Sequence, residues 1–457
     1  MTDNKTDRNV TNVRAFGARG DGVHDDADAL EAAFASGTGL VYLPQGRYRI
    51  GRSIRVDLGQ TGRIRVKGAG ATIVNCGSGP ALDVVGHHLG TAGPETVTKE
   101  TYRLEVMPLF EGFEIVGEHP EADGVRLENT IMATFQALLI RRCRYGIHLL
   151  NRNRNVIIAD CHLFDNLGLG VYLENANLHQ INVYGCHIHA NAGGGIKAEA
   201  GPGGIRNIQI VGNDIEYNHA SGGHDVHFVC GPVGVREGTI VGNTIQATAG
   251  CGGANVCIEG HAPKGCLKGG LISITGNHIS NQDVNIKITH SRGIAISGNT
   301  LIRGTKRNIL ITHSEHVAIG PNVLDDNPDY GGDTLGGIHL EHSRNCTVQG
   351  VVMSNPAGGE ATRGGSIEAV NCSGLNITGC NLSDPHVRGI SLENVCDSRV
   401  SDCVILETGE PRMRAAIAET GQSDRNMIMG NRVKRGLRAD IYTVGAQTLV
   451  TGNLCTD

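Results

Sequence analysis

The chain repeats one short pattern many times, and this repeat restricts the possible folds more than any other feature. The pattern reads apolar-x-apolar-x-Gly-Asn-x-apolar, as in residues 208–215, 272–279 and 294–301. The Asn position, with Cys or Val replacing Asn in some copies, recurs at Cys161, Cys186, Asn213, Asn243, Asn277, Asn299, Asn322, Val351, Cys380, Cys403, Asn431 and Asn453. The smallest step is 22 residues. This length fits one coil of a solenoid and is too short for a propeller blade of about 40–45 residues.

A second pattern shows what each coil contains. Gly, Asn or Asp followed by alternating apolar residues recurs along the chain, for example at 146–149, 170–173, 195–198 and 285–288. Alternation with a period of two is typical of strands that bury one face. Stacked coils would then form parallel sheets, with the Asn and Cys side chains in an internal column at one turn. The sequence therefore predicts an all-β fold, a parallel β-helix of about twelve or more coils.

The first fifty residues differ from the repeat. Asp25 or Asp26 is a candidate N-cap, and Leu30, Ala33 and Phe34 follow the spacing of one helix face. A short helix at this point would close the end of the solenoid, as terminal repeats must. The predicted organisation is a disordered tail at 1–12, a capping segment at 13–50 and a β-helix domain at 51–457.

Two stretches of this capping segment resemble the opening of the pectate-lyase superfamily, which is related to the polygalacturonases. They are "FGARGDGVHDDADALEAAF" (16–34) and "VYLPQGRYRI" (41–50). The resemblance implies a right-handed parallel β-helix that acts on a saccharide, and such proteins often form homotrimers. Its members include lyases, hydrolases, epimerases and phage tailspikes. The Asn-Thr-Asp and Gly-His-Gly motifs of the polygalacturonases are absent here, so none of their catalytic roles is carried over.

Composition narrows the choice of partners. The formal net charge is −6, which predicts no nucleic-acid partner, and no apolar run is long enough to predict a membrane span. The 14 cysteines contain no Cys-x-x-Cys spacing, so buried free thiols are predicted rather than disulfides. No metal or cofactor is predicted. The polar beginning, without a signal peptide, predicts a cytoplasmic location, with non-classical or phage-associated export as the alternative.

The outward-facing strand positions supply the candidate catalytic residues, which are Tyr172, Glu174, Lys197, Glu199 and His227. Lys197 would neutralise a uronate carboxylate or the enolate formed from it, or would act as the base. His227 or Tyr172 would take the remaining proton-transfer role. Glu174 and Glu199 are expected on adjacent coils about 5 Å apart, which resembles a retaining glycosidase pair.

A second set of polar residues is predicted to contact substrate. These residues would lie either at the edge of the groove lined by the candidate catalytic residues or further along the same outward-facing strand positions. The members of this set are His187, His189, Asp214, Glu216, Lys287 and His339. The His-x-His spacing could alternatively bind a transition metal, or these side chains could form plain polar surface.

These observations predict a carbohydrate-active enzyme for an acidic poly- or oligosaccharide, with lyase or epimerase chemistry favoured. One alternative is a glycoside hydrolase or glycosyl-transferring enzyme on the same fold. The other is a non-catalytic saccharide-binding or tailspike-like protein. The products formed from uronate polymers would separate these three.

Overall fold

The computed structural model describes residues 10–36, 39–90, 93–220, 222–262, 267–325, 329 and 335–456. The chain divides into two compact units, Met1–Gly223 and His224–Asp457. Each unit is a parallel β-helix, in which the chain passes through three sheets in every coil. The described residues make about 17 turns, which confirms the predicted fold and the prediction of twelve or more coils.

The three sheets are named first, second and third by the order in which the chain enters them within a coil. In the first unit, three long strands run through both the first and the second sheet: Ile147–Ala159, Leu169–Tyr184 and Gly194–Val211. The other first-sheet strands are Ile54–Asp57, Gly79–Val85 and Ala122–Ile131. The other second-sheet strands are Val10–Asn12, Leu40–Leu43, Arg65–Gly68, Leu109–Glu111 and Thr134–Gln136. The third sheet contains Asp21–Asp25, Gly46–Ile50, Ala71–Asn75, Glu114–Gly117, Leu139–Arg141, His162–Phe164, His187–His189 and Asp214–Glu216.

The second unit repeats the same three-sheet coil with shorter strands. Its first sheet contains Val226–Val229, Ala254–Glu259, Val284–Thr289, Arg307–Thr312, Ile338–Glu341, Ile367–Val370, Arg388–Glu393, Ala415–Thr420 and Ile441–Tyr442. Its second sheet contains Val235–Val241, Gly269–Thr275, Ser291–Ser297, Glu315–Ile319, Thr347–Gln349, Asn376–Thr378, Arg399–Ser401, Met427–Met429 and Leu449–Thr451. Its third sheet contains Thr244–Gln246, His278–Ser280, Thr300–Ile302, Val323–Asp325, Val352–Ser354, Asn381–Ser383, Val404–Leu406, Arg432–Lys434 and Leu454–Thr456.

The predicted capping helix is present at Ala27–Ala35 and packs against the strand Ile54–Asp57. Its Leu30, Ala33 and Phe34 are buried, as the helical spacing predicted. Asp26 is the N-cap residue but makes no capping hydrogen bond with its side chain, and Oδ1 of the preceding Asp25 accepts a hydrogen bond from the Ala27 N–H at 3.0 Å. The other helical segments are Val13–Phe16, Leu58–Thr61, Pro94–Thr96 and Lys99–Leu104. No helix in the described residues is long and apolar enough to cross a membrane.

The predicted domain boundaries stay predictions. Of the predicted tail at 1–12, residues 1–9 lie outside the described residues, and Val10–Asn12 form a strand that pairs with Leu40–Leu43. Residues 13–50 contain the capping helix and also three strands of the sheets, Asp21–Asp25, Leu40–Leu43 and Gly46–Ile50, so they belong to the same stack of coils.

The predicted internal column is present and explains why Asn and Cys share one position. In the second unit, the backbone N–H of Asn277 donates to Oδ1 of Asn299, and the N–H of Asn299 donates to Oδ1 of Asn322, each at 3.0 Å. In the first unit, the N–H of Cys161 donates to Sγ of Cys186 at 3.4 Å. A small buried acceptor is therefore favoured at this turn, and Val351 shows that a small apolar side chain can replace it in one coil. The thirteen described cysteines are all free, as predicted, and Cys266 lies outside the described residues.

Candidate active site

The first sheet of the first unit aligns three polar side chains on its outer face. The strands pair in a register that sets His148 beside Tyr172 and Tyr172 beside Lys197. Val171 and Leu173, on either side of Tyr172, are fully buried. The period-two alternation of the sequence therefore fixes which side chains face outward, and the predicted column is confirmed for these three residues.

A single carboxylate joins two of the predicted catalytic residues. The Tyr172 phenol donates to Oε2 of Glu199 at 2.5 Å, and Nζ of Lys197 lies 2.5 Å from Oε1 of the same carboxylate. Burial, followed by the hydrogen bond to Glu199, raises the pKa of Tyr172 well above its usual range. Tyr172 therefore remains a protonated phenol at neutral pH, held between a carboxylate and a lysine.

Aromatic rings form one wall of this arrangement. The imidazole of His148 stacks on the Tyr172 ring, with centroids 5.3 Å apart and planes within 8°. The Tyr145 ring lies 5.2 Å from His148 and 5.1 Å from Tyr172. Stacked rings of this kind restrict the rotamers of one another, so the Tyr172 hydroxyl is held in a fixed direction.

Glu174 has a different partner from Glu199. Nε2 of His148 donates to Oε2 of Glu174 at 2.8 Å, and burial lowers the pKa of His148. The strand register becomes irregular after Leu173, where Asn175 adopts a left-handed φ of 46°. Glu174 lies at this irregular point and bonds back to the preceding coil. The two carboxylates therefore have separate partners in the described structure.

The predicted substrate-binding residues of the first unit lie in a different sheet from Tyr172 and Lys197. His187, His189, Asp214 and Glu216 belong to the third sheet, where His187 pairs with Asp214 and His189 with Glu216 in register. Nδ1 of His187 lies 3.3 Å from Oδ2 of Asp214. His187 and His189 are thus held by neighbours of their own sheet, and their contact with substrate remains a prediction.

His227 belongs to the second unit, where a separate polar cluster forms. Its Nε2 lies 3.2 Å from Oε2 of Glu259, and its ring meets the His224 ring edge-on with centroids 4.5 Å apart. Cys257 is aligned with His227 in register, and its Sγ lies 3.9 Å from Oε1 of Glu259. Burial lowers the pKa of His224 to about 4 and raises the pKa of Cys257 to about 12. Donor atoms of these four side chains all lie within 4.8 Å of one another, so this cluster could hold a metal ion.

Lys287 and His339 continue the outer column of the second unit. The register aligns Lys287 with Cys257 and, through later strands, His339 with Glu368. Nδ1 of His339 lies 3.0 Å from Oε2 of Glu368. The column is therefore as predicted, while a role in binding substrate is not tested for either residue.

Sequence reasoning left several residues of these clusters out of the site, among them His148, Tyr145 and His224. His148 is in the predicted column but was not selected, although its position beside Tyr172 was a usable signal. Tyr145 lies before the strand, outside any periodic position, so the sequence carried no signal for it. His224 forms a His-x-x-His spacing with His227, a spacing that a search for ligand pairs could have found.

Three family models match successive parts of the chain. Residues 10–87 match the model described as rhamnogalacturonase A/epimerase, pectate lyase-like. Residues 108–245 match the right handed beta helix region, and residues 255–433 match the periplasmic copper-binding protein NosD. The last match shows that the predicted cytoplasmic location is wrong. That prediction rested on the polar composition of the first residues, and this composition does not determine the cellular location of the protein.

Individual relatives match over short stretches. The chain is 37% identical to mannuronan C5-epimerase AlgE5 of Azotobacter vinelandii over 97 residues, which are 19% of this chain and 9% of that protein. It is 37% identical to mannuronan C5-epimerase AlgE1 of the same organism over 172 residues, 34% of this chain and 12% of that protein. The chain thus spans about a tenth of the length of these curated relatives.

Solved structures agree with the fold. Pre-mature bacteriophage phi29 gene product 12 superposes with a TM-score of 0.51 at 16% identity, over 97% of this chain and 55% of that one. At this identity the likeness shows the fold alone. Together with the parallel coils and the matches to the beta-helix and pectate-lyase-like models, it leads to one conclusion. The chain is a right-handed parallel β-helix protein of the pectate-lyase-like superfamily.

Proposed function

We propose that this protein is a carbohydrate-active enzyme that removes the C5 proton of a uronate residue in an acidic polysaccharide, as an epimerase or a lyase. The observation that carries the proposal is the Glu199 carboxylate, which binds the Tyr172 phenol and the Lys197 ammonium at the same time. The charges and the proton donor that such a reaction requires are thereby held in one place.

The C5 proton of a uronate is acidified by the adjacent carboxylate, and its removal leaves an enolate. A cation that faces this carboxylate stabilises the negative charge as it develops. Lys197 has 27% of its side chain exposed, so its ammonium can reach a saccharide lying along the first sheet. Lys197 is therefore assigned to the substrate carboxylate.

A base and an acid complete the reaction. Glu174 has 41% of its side chain exposed and is oriented by His148, so it is assigned as the base that takes the C5 proton. Tyr172 is the acid, because its raised pKa keeps the phenol protonated. If Tyr172 delivers its proton to C5 on the opposite face, the sugar is epimerised. If the enolate instead expels the C4 oxygen and Tyr172 protonates that oxygen, the chain is cleaved and an unsaturated uronate remains.

The same contacts disfavour Glu199 as the general acid of a hydrolysis by the Glu174 and Glu199 pair. A glycosidase of this kind needs one of its two carboxyl groups protonated as a general acid. Protonation of Glu199 would forfeit its ion pair with Lys197 and the hydrogen bond it accepts from Tyr172. The contacts of Glu199 thus support proton transfer at carbon over a two-carboxylate mechanism in which Glu199 is the general acid.

The similarity to the mannuronan C5-epimerases of Azotobacter vinelandii supports this class of reaction and makes mannuronan the first polymer to test. The protein is incubated with mannuronan and with other uronate polymers, and the products are followed by proton NMR, ultraviolet absorbance and reducing-end assay. C5 inversion without cleavage identifies an epimerase, and the absorbance of an unsaturated uronate identifies a lyase. Reducing ends without that absorbance would contradict the proposal in favour of hydrolysis. Binding without any product would favour a saccharide-binding or tailspike-like protein.

Two further features belong to this proposal. The match to a periplasmic family supports action outside the cytoplasm, where a polysaccharide is accessible. Assembly as a homotrimer, which the superfamily resemblance implies, is tested by light scattering, and a monomer mass would contradict it.

A further inference from the structure

We infer that His224, His227, Cys257 and Glu259 form a binding site for a transition-metal ion of the zinc class in the second unit. The inference goes beyond the proposed function and does not depend on it. Two ligands come from one coil and two from the next, so the ion would join successive coils.

Strand geometry brings these side chains together. Val226–Val229 pairs with Ala254–Glu259 in a parallel register that aligns His227 with Cys257 and Val229 with Glu259. His227, Cys257 and Glu259 alternate with the buried Phe228 and Ile258, which places the three side chains on the outer face. His224 precedes the first of these strands and turns its ring onto that of His227.

The distances are close to those of a bound ion. The four donor atoms lie within 4.8 Å of one another, and His227 and Glu259 are already separated by only 3.2 Å. A tetrahedral zinc ion with bonds of about 2.0–2.3 Å requires its ligand atoms to be about 3.3–3.8 Å apart. Side-chain rotations that shorten the longest separations by about 1 Å would therefore close the site, with no change in the strands.

The donor set selects the metal. Two imidazole nitrogens, a thiolate and a carboxylate suit zinc and its neighbours in the first transition series, whereas calcium and magnesium prefer oxygen ligands throughout. Binding converts the Cys257 thiol to a thiolate and releases its proton to solvent. Nδ1 of His224 accepts a hydrogen bond from the Ala254 N–H at 2.9 Å, and coordination through this nitrogen would exchange that hydrogen bond for a bond to the metal.

Cys257 differs from the thiols of the internal column. Cys161, Cys186 and Cys403 occupy the buried turn, where their sulfurs contact backbone carbonyls. Cys257 lies instead in the outward column that elsewhere carries His, Lys and Glu, and its sulfur faces a carboxylate. Ala254, Val284 and Leu310 pack around it, which provides an apolar wall on one side of the donors. An apolar wall behind a compact donor set is the usual surrounding of a metal site.

The full-length protein, freed of metal with a chelator, is titrated with Zn²⁺ by calorimetry and with Co²⁺ by absorbance. We expect one ion per chain and a thiolate-to-cobalt charge-transfer band in the wild-type protein. Cys257→Ser and His224→Asn should each weaken Zn²⁺ binding by at least about 10–100-fold. This is a lower limit, because it is the loss typical of removing a residue that only hydrogen-bonds to a metal ligand. Cys346→Ser and His316→Ala, which lie in the same unit outside the cluster, are the matched controls and should leave the affinity unchanged.

Three results would overturn the inference. They are a Co²⁺ complex without the thiolate band, Zn²⁺ binding equally tight in Cys257→Ser and in wild type, and stoichiometric binding of Ca²⁺ but not of Zn²⁺. The cobalt spectrum of the wild-type protein needs no variant, so it decides the question even if a substitution prevents folding.

Discussion

Replacing Asn299 by alanine tests the internal column that stacks the coils of the second unit. The Asn299 side chain is 1% exposed, and its Oδ1 accepts from the backbone and side-chain nitrogens of Asn277 at 3.0 and 2.9 Å. Its Nδ2 donates to the carbonyl of Ile274 at 3.0 Å and to Oδ1 of Asn322 at 2.9 Å. Alanine removes these four hydrogen bonds, together with a longer one that Nδ2 donates to the Ser297 carbonyl at 3.3 Å, and leaves their partners buried.

The loss can be estimated from these contacts. A hydrogen bond of this kind contributes about 1 kcal/mol net, so Asn299→Ala should lower the free energy of unfolding by about 4 kcal/mol. Cysteine at the same position keeps a small acceptor, as Cys186 does for the N–H of Cys161, and loses only the hydrogen bonds that Nδ2 donates. Asn299→Cys should therefore cost about 2 kcal/mol.

The assay is urea unfolding followed by circular dichroism, with the midpoint and slope compared between variants. Thr300→Ala, at the exposed neighbouring residue, is the control and should change the free energy of unfolding by less than about 0.5 kcal/mol. The reasoning fails if Asn299→Ala unfolds within about 1 kcal/mol of wild type, or if cysteine is as damaging as alanine.

Three further predictions concern the first unit. Phe135→Ala should destabilise by about 3–5 kcal/mol in the same assay, because Phe135 is fully buried and stacks on Phe110 with ring centroids 5.2 Å apart. Burial and nearby guanidinium groups lower the pKa of His88 from 6.5 to about 4, so the unfolded chain binds this proton more readily than the folded chain. His88 therefore does not lower the free energy of unfolding above pH 6.5, and it lowers this free energy progressively as the pH falls towards 4. In His88→Gln this pH-dependent loss should be smaller, as measured by unfolding at a series of pH values. Lys197→Met should lower turnover on a uronate polymer by about 10²–10³-fold, while its partly exposed ion pair contributes about 1 kcal/mol or less to stability. Equal turnover in this variant and wild type would remove Lys197 from the reaction.

The sequence was informative wherever a residue's position in the coil determines its environment. The column of Asn and Cys, the outward positions of His148, Tyr172 and Lys197, and the helix at Ala27–Ala35 all follow from a repeating spacing. A buried turn favours a small side chain, usually an acceptor, and a half-buried strand needs alternation, so both leave a regular pattern in the sequence.

Only part of the site could be predicted, because local departures from the repeat determine which side chains contact one another. Glu174 bonds to His148 at the point where the register of the strand shifts, and no regular spacing encodes that shift. His224 and Tyr145 come from the segments before the strands, whose paths depend on insertions of different length. Periodicity therefore identified the column and not the contacts within it.

The most direct test of the account compares Tyr172→Phe with Tyr184→Phe in deuterated buffer, on a uronate polymer that the wild-type protein converts. Both tyrosines lie on the strand Leu169–Tyr184, and Tyr184 is an exposed residue outside the site. If Tyr172 delivers the proton, its variant should lose about 10²–10⁴-fold in turnover, while Tyr184→Phe behaves as wild type. Where the reaction is epimerisation, deuterium incorporation at C5 should fall together with turnover; where it is elimination, formation of the unsaturated uronate is the readout. Unchanged turnover in Tyr172→Phe would contradict the account for either reaction, because the hydroxyl that binds Glu199 would then have no part in the proton transfer.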